Sequence, residues 1–153
     1  MEKSKTIKKT ENGNAKTSES ITLDADLTAL GEVTLFVNSF MERIGCDEKT
    51  KRQTDIAVEE IFVNICNYAY SEDDGKVTVE VRNDGSRKLV LTFSDRGVRY
   101  NPLEKPDPDI TLGAQDRKIG GLGIYMVKNI MDELSYRHEN DKNILTIVKY
   151  INC

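Results

Sequence analysis

Three polar side chains share one face of a predicted helix near the middle of the chain. At 100° per residue, Glu60, Asn64 and Asn67 fall at positions i, i+4 and i+7 of that helix. Asparagine is an indifferent helix former, and no Lys or Arg accompanies the two on this face. The face therefore presents carboxylate and amide oxygens, which are the hard donors that Mg²⁺ prefers. An ordinary solvated helix face would have the same spacing, so both interpretations stay open.

A second candidate is Asp95, at the end of a predicted strand. Period-two alternation places it on the same face as Leu89, Leu91 and Phe93. A carboxylate on a core-facing side is costly unless it is hydrogen-bonded. Gly97 beside it allows close backbone approach to a ligand. The carboxylate would suit an exocyclic amine such as that of adenine, whereas a simple turn cap would need no ligand.

A glycine cluster precedes the third predicted helix. Gly120, Gly121 and Gly123 lie in IGGLGIYMVK. Bare N–H groups at the positive end of a helix dipole favour anions. No Gly-Lys-Ser/Thr follows, so this is not a Walker motif, and no parallel βαβ unit supports a dinucleotide fingerprint. A hinge or a close helix contact is the alternative interpretation.

The elements that must position these groups follow from hydrophobic periodicity. Helical spacing from Leu27 to Ile44 predicts a first helix with Gly45 as its stop, and Asp47 is a plausible cap for a second helix over residues 48–70. Further strands are predicted at 20–24, 76–84, 88–95, 134–138 and 143–151, with a hairpin turn at Asp84-Gly85 and a helix at 124–134. Residues 95–119 hold all three prolines and lack periodicity, which indicates a long functional or mobile loop.

This order of elements predicts an α+β fold, a two-layer sandwich with helices on one face of a mixed, mostly antiparallel sheet. The 153 residues fit one domain over 20–153, preceded by a flexible polar tail at 1–19. With 38% hydrophobic and 31% charged residues, the chain reads as globular and soluble, and no apolar run is long enough for a membrane span.

Composition also excludes several classes of function. The net charge of -4 argues against a nucleic-acid backbone as the main partner. A single histidine, His138, rules out a multi-histidine metal site or a histidine-based triad. Cys46, Cys66 and Cys153 fit no zinc spacing and are expected to be free thiols in a reducing cytoplasm.

Taken together, the motifs carry a family resemblance. The segments AVEEIFVNICNYAY, SDRGVRYNP and IGGLGIYMVKNIMDEL resemble the N box and the two glycine boxes of the GHKL ATPase superfamily, which has the Bergerat ATP-binding fold. Within it, the chain is most similar to the stand-alone anti-sigma factor serine/threonine kinases of bacteria. The likeness runs from about residue 20 to residue 150.

The resemblance implies a role for each matching residue. Glu60 falls where the family has its general base and Asn64 where it has its magnesium ligand, while Asp95 would accept from the adenine amine. Residues 100–119 would form the ATP lid, and we expect Arg117, the lid cation nearest the glycines, to reach the terminal phosphate. The implied nucleotide-binding set is Asn64, Asn67, Asp95, Gly97, Arg117, Gly120, Gly121, Leu122 and Gly123.

The implied function is a kinase that uses ATP and Mg²⁺, binds a sigma factor and phosphorylates an anti-anti-sigma protein of the STAS fold, with a homodimer as a further expectation. Relatives often have His where Tyr68 stands, and Val98-Arg99-Tyr100 replaces a second glycine common in sensor kinases. These departures argue against the sensor histidine kinase branch. A non-catalytic module whose binding to proteins is gated by ATP or ADP remains the alternative function.

Overall fold

The computed structural model of the chain describes the backbone at residues 8–12, 16–68, 75–83, 87–104 and 122–151, and side chains there except at 8–12, 16, 68 and 122. The strands are β1 (Lys8–Asn12), β2 (Lys16–Asp24), β3 (Lys76–Asn83), β4 (Lys88–Asp95), β5 (Glu133–Glu139) and β6 (Lys142–Tyr150). The helices are α1 (Leu30–Arg43), α2 (Glu48–Tyr68) and α3 (Leu122–Ile130), with short 3-10 turns at Leu27–Ala29 and Pro102–Glu104.

The strands form one sheet in the order β1-β2-β3-β4-β6-β5, and every pairing among them is antiparallel. Alternate residues of each central strand are buried, as in β3, where Val77, Val79 and Val81 face the core. The three helices pack on that face, so the predicted α+β two-layer sandwich is confirmed. The described part of the chain has no helix with the length and apolar character needed to traverse a lipid bilayer.

The junction between α1 and α2 is encoded locally. Gly45 has a φ of 80°, a left-handed conformation that favours glycine. The N–H groups of Gly45 and Cys46 close on the carbonyls of Glu42 and Met41, which is the Schellman pattern that ends a helix. The Asp47 carboxylate then accepts from the N–H of Thr50 at 2.8 Å and caps α2. Both predicted boundary signals are therefore confirmed.

The sheet extends further toward the N-terminus than predicted. Residues 8–12 and 16–19 belong to β1 and β2, whereas the sequence predicts a flexible tail there. Residues 8–12 and 16–19 contain no apolar side chain, so no hydrophobic pattern predicts these strand segments. They pair through backbone hydrogen bonds. Within β2, Glu19 is buried and ion-paired with Arg43 of α1, which ties this strand to the helix layer.

The third helix ends earlier than its apolar pattern predicts. It stops at Ile130 rather than near residue 134, because the chain then joins the sheet. Lys149 Nζ donates to the carbonyl of Ile130 at 2.7 Å, and the N–H of Asp132 donates to the carbonyl of Val148 at 2.8 Å. Leu134, which fits the helical pattern, is instead a core-packed residue of β5.

Candidate functional site

The polar stripe of α2 reaches the start of α3. Glu60 is half-buried, and its carboxyl group lies against the Cα of Gly123. A Cβ added to Gly123 would stand 2.8 Å from Cδ of Glu60 and closer still to Oε2. The Glu60 carboxylate can therefore approach α3 this closely only because residue 123 is a glycine.

One turn further along α2, Asn64 lines a cleft between the helices and the sheet. Asp95, at the end of β4, lines the same cleft, so the structure brings these two predicted site residues together. The remaining walls are mostly apolar and aromatic. The cleft is lined by Ile61, Asn64, Ile65, Phe93, Asp95, Tyr100, Pro102, Ile124, Tyr136, Asn143 and Leu145.

The Asp95 carboxylate is buried, with 5% of the residue exposed. Its Oδ1 accepts hydrogen bonds from the N–H of Gly97 at 2.9 Å and from Nδ2 of Asn143 at 3.0 Å. Its Oδ2 accepts none from the residues that the structure describes. Burial raises the pKa of Asp95 above its ordinary 3.8, while these two hydrogen bonds oppose the shift. Two described groups thus fix one carboxylate oxygen, while no described residue donates to the other.

Asn143 also lines the cleft, although the sequence does not predict it as a site residue. It lies opposite Asp95 in the pairing of β4 with β6 and is 6% exposed. Period-two alternation places it in one row with Leu145 and Ile147, and an amide in such a row needs hydrogen-bond partners. That signal could have marked it, but its partners depend on the register between strands far apart in sequence.

The other predicted site residues divide into three groups. Gly97 lies beside the cleft, bonded to Asp95 through its N–H group. Asn67 is exposed on α2 and does not line the cleft. Arg117, Gly120, Gly121 and residues 105–119 of the predicted lid lie outside the described residues, whereas Leu122 begins α3 with its side chain undescribed.

The geometry suits a flat, mostly apolar ligand with one donor at its edge. Isoleucine, phenylalanine and leucine side chains can cover the faces of an aromatic ring. Asp95 Oδ2, to which no described residue donates, would accept from a donor at the edge of such a ligand. Polar groups of the ligand would then extend toward Asn64, Glu60 and the start of α3, where N–H groups and the helix dipole favour anions.

Sequence comparison places this chain in a known family. Residues 23–149 match the histidine kinase-like ATPase domain. The chain is 30% identical over 135 residues to the serine-protein kinase RsbW of Listeria monocytogenes serotype 4a (strain HCC23), covering 83% of this chain and 82% of the relative. It is also 30% identical over 113 residues to RsbW of Bacillus mycoides (strain KBAB4), covering 71% and 69% of the two chains.

A solved structure shares the fold. The crystal structure of the RsbU and RsbW domains of a Mycobacterium tuberculosis protein aligns with a TM-score of 0.63 and 19% identity. The alignment covers 88% of this chain and 32% of the longer one.

The chain therefore belongs to the GHKL superfamily of ATPases and, within it, to the family of anti-sigma serine kinases. Membership implies the use of ATP.

Proposed function

We propose that this chain is an ATP-dependent serine/threonine protein kinase that acts as an anti-sigma regulatory factor. It would bind a sigma factor and phosphorylate a STAS-type anti-anti-sigma protein. The observation that carries this proposal is the meeting of Glu60 with Gly123 beside the cleft that Asn64 and Asp95 share. The similarity to serine-protein kinases over most of both chains supports the choice of reaction.

The adenine ring would occupy the apolar part of the cleft. Its exocyclic amine would donate to Asp95 Oδ2, which no described residue engages. Gly97, whose N–H group holds Asp95 Oδ1, leaves room for the edge of the base because it has no side chain. The buried carboxylate is costly without a ligand, which is typical of a residue kept for binding.

The phosphates would extend toward the start of α3. Gly120, Gly121, Leu122 and Gly123 would offer peptide N–H groups to them, and Arg117 would reach the terminal phosphate. Asn64 supplies an amide oxygen of the kind that Mg²⁺ accepts together with phosphate oxygens and water. Magnesium, when bound, would offset the negative charge of the triphosphate.

Glu60 would act on the acceptor hydroxyl. Its carboxylate orients the serine hydroxyl and takes its proton as the hydroxyl oxygen bonds to the γ-phosphorus and the bond to the β–γ bridging oxygen breaks, releasing ADP. Because phosphoryl transfer depends mainly on positioning and charge stabilisation, a small domain with few catalytic side chains suffices. The free thiol of Cys66 fits a reducing bacterial cytoplasm as the setting.

The test is transfer of radiolabelled phosphate from ATP to a STAS-type partner. Glu60→Gln keeps the shape of the side chain but removes its basicity, so transfer should cease while ADP affinity stays nearly unchanged. Persistent transfer would show that Glu60 is not the base. If the unmodified protein binds a partner in a nucleotide-dependent way but forms no phosphorylated product, it is instead a non-catalytic module gated by ATP or ADP.

A further inference from the structure

The side chain of Asn143 connects three parts of the nucleotide cleft. Its Nδ2 donates to Asp95 Oδ1 at 3.0 Å and to the carbonyl of Val98 at 3.0 Å. Its Oδ1 accepts from the N–H of Tyr100 at 3.1 Å and from the hydroxyl of Tyr136 at 2.5 Å. A single buried amide thus joins the end of β4, the segment after it and the edge strand β5.

These bonds use the full capacity of the amide. A primary amide has two N–H donors and one oxygen with two lone pairs. Both donors face acceptors, and both lone pairs face donors, in Tyr100 and Tyr136. Rotating the amide by 180° would set its oxygen against the Asp95 carboxylate and its NH₂ group against the N–H of Tyr100. The partners therefore impose one orientation of Asn143.

This orientation of the Asn143 amide determines which oxygen of the Asp95 carboxylate faces a ligand. Asn143 and the N–H of Gly97 both bond to Oδ1, which fixes the plane of the carboxylate and leaves Oδ2 for the base. The bonds to Val98 and Tyr100 hold the segment after β4 against the sheet. Since Tyr100 and Pro102 line the cleft, the same amide sets the position of one wall.

We propose that Asn143 is the positioning residue for base recognition, aligning the Asp95 carboxylate and anchoring the segment over residues 97–100 as a wall of the base pocket. This inference rests on the proposed binding of adenine. Asn143 is not assigned direct contact with the nucleotide. Its effect on affinity runs through Asp95 and through the backbone that it holds.

A double-mutant cycle on ADP affinity tests the proposal. Calorimetric titration compares the unmodified protein with Asn143→Ala, Asp95→Ala and the double variant. We expect Asn143→Ala to weaken ADP binding by roughly 10- to 100-fold, the range for loss of a hydrogen bond to a charged group. In the Asp95→Ala background the same change should cost clearly less, because the aligned carboxylate is already absent and only the effect on the wall over residues 97–100 remains.

Thr146→Val is the matched control. Thr146 lies on β6, and its hydroxyl is 3.5 Å from that of Thr92, away from the cleft. This variant loses a polar contact on the same strand and should leave ADP affinity unchanged. If Asn143→Ala does not fold, Asn143→Leu goes through the same cycle, because leucine fills a similar volume without hydrogen bonding.

Hydrogen exchange gives a second readout that a general loss of stability would not mimic. The Tyr100 amide should exchange faster in Asn143→Ala than in the unmodified protein, while amides of the β2–β3 pairing keep their protection. Equal losses of ADP affinity in both Asp95 backgrounds, or no loss at all, would overturn the inference. If the unmodified protein binds no ADP, it is the proposed function that fails.

Discussion

The contact between Glu60 and Gly123 makes one substitution diagnostic. In Gly123→Ala, the new Cβ would stand 2.8 Å from Cδ of Glu60. Carbon atoms in contact normally stay at about 3.5–4.0 Å, so the carboxyl group must retreat by about 1 Å. The atoms displaced belong to the far end of a flexible side chain, so the fold accommodates the change. The substitution therefore moves the proposed base without deleting it.

The expected effect is on the rate of transfer. A catalytic group misplaced by about 1 Å costs on the order of 10²-fold in rate. Binding of ADP does not require Glu60 in the proposed mechanism, so the dissociation constant for ADP should change by less than about threefold. Single-turnover transfer of labelled phosphate to a STAS-type partner measures the rate, and calorimetry measures the affinity.

Gly31→Ala is the matched control for this experiment. Gly31 is also a helical glycine, in α1, and a Cβ there would meet nothing within 4 Å. Gly31 lies in the first turn of α1, where alanine gains less than the roughly 1 kcal/mol of a helix interior, so this control should not lower stability and should leave transfer unchanged. If Gly123→Ala weakens ADP binding as much as it slows transfer, the added methyl group acts on nucleotide binding rather than through Glu60, and the reasoning is refuted.

Two further predictions concern buried polar groups. Asp95→Asn should abolish tight ADP binding but melt no lower than the unmodified protein at pH 7. Because burial raises the pKa of Asp95 above 3.8, the ionised carboxylate destabilises the fold increasingly as pH rises from 3.8 through the folded pKa. The higher melting temperature of Asp95→Asn should therefore disappear at acidic pH. A difference in melting temperature that grew at acidic pH would contradict this direction of the pKa shift. Thr54 is fully buried, and its hydroxyl has no partner among the described residues, so Thr54→Val should raise the free energy of unfolding in urea by about 1–2 kcal/mol. Destabilisation would show that the hydroxyl is bonded.

The parts of the fold that local chemistry determines could be predicted from the sequence. Asp47 and Gly45 mark the boundaries of α2 and α1, strict alternation marks β3, and an alternation broken only by Val90 marks β4. The hairpin between β5 and β6 has a comparable local signal in Asn140-Asp141. Asparagine and aspartate tolerate the positive φ that a two-residue turn requires, and both residues adopt it here. The end of α3 could not be predicted, since Lys149 and Val148 of a distant strand determine it.

In the candidate site too, residues placed by a single element could be predicted, and residues placed by the pairing of strands could not. Helical spacing alone put Glu60 and Asn64 on one face, because both lie on a single element. It also put Asn67 there, but that side chain is exposed near the end of α2, beyond the reach of the cleft. Asn143 reaches Asp95 through the pairing of β4 with β6, and Tyr136 reaches Asn143 through the pairing of β6 with β5. The periodicity of a single strand contains no information on this register.

The Asp95–Asn143 pair also explains why a costly arrangement persists in the core. A carboxylate and an amide occupy opposite positions on neighbouring strands, where the rows around them are Phe93 with Leu145 and Leu91 with Ile147. Two apolar residues would pack there at lower cost, since burial disfavours the ionised carboxylate. Asn143 donates to Oδ1, and no described residue donates to Oδ2, so the proposed adenine amine would recover part of this cost by donating to Oδ2. If the proposed adenine contact forms, nucleotide binding should raise the melting temperature of the unmodified protein more than that of Asp95→Asn.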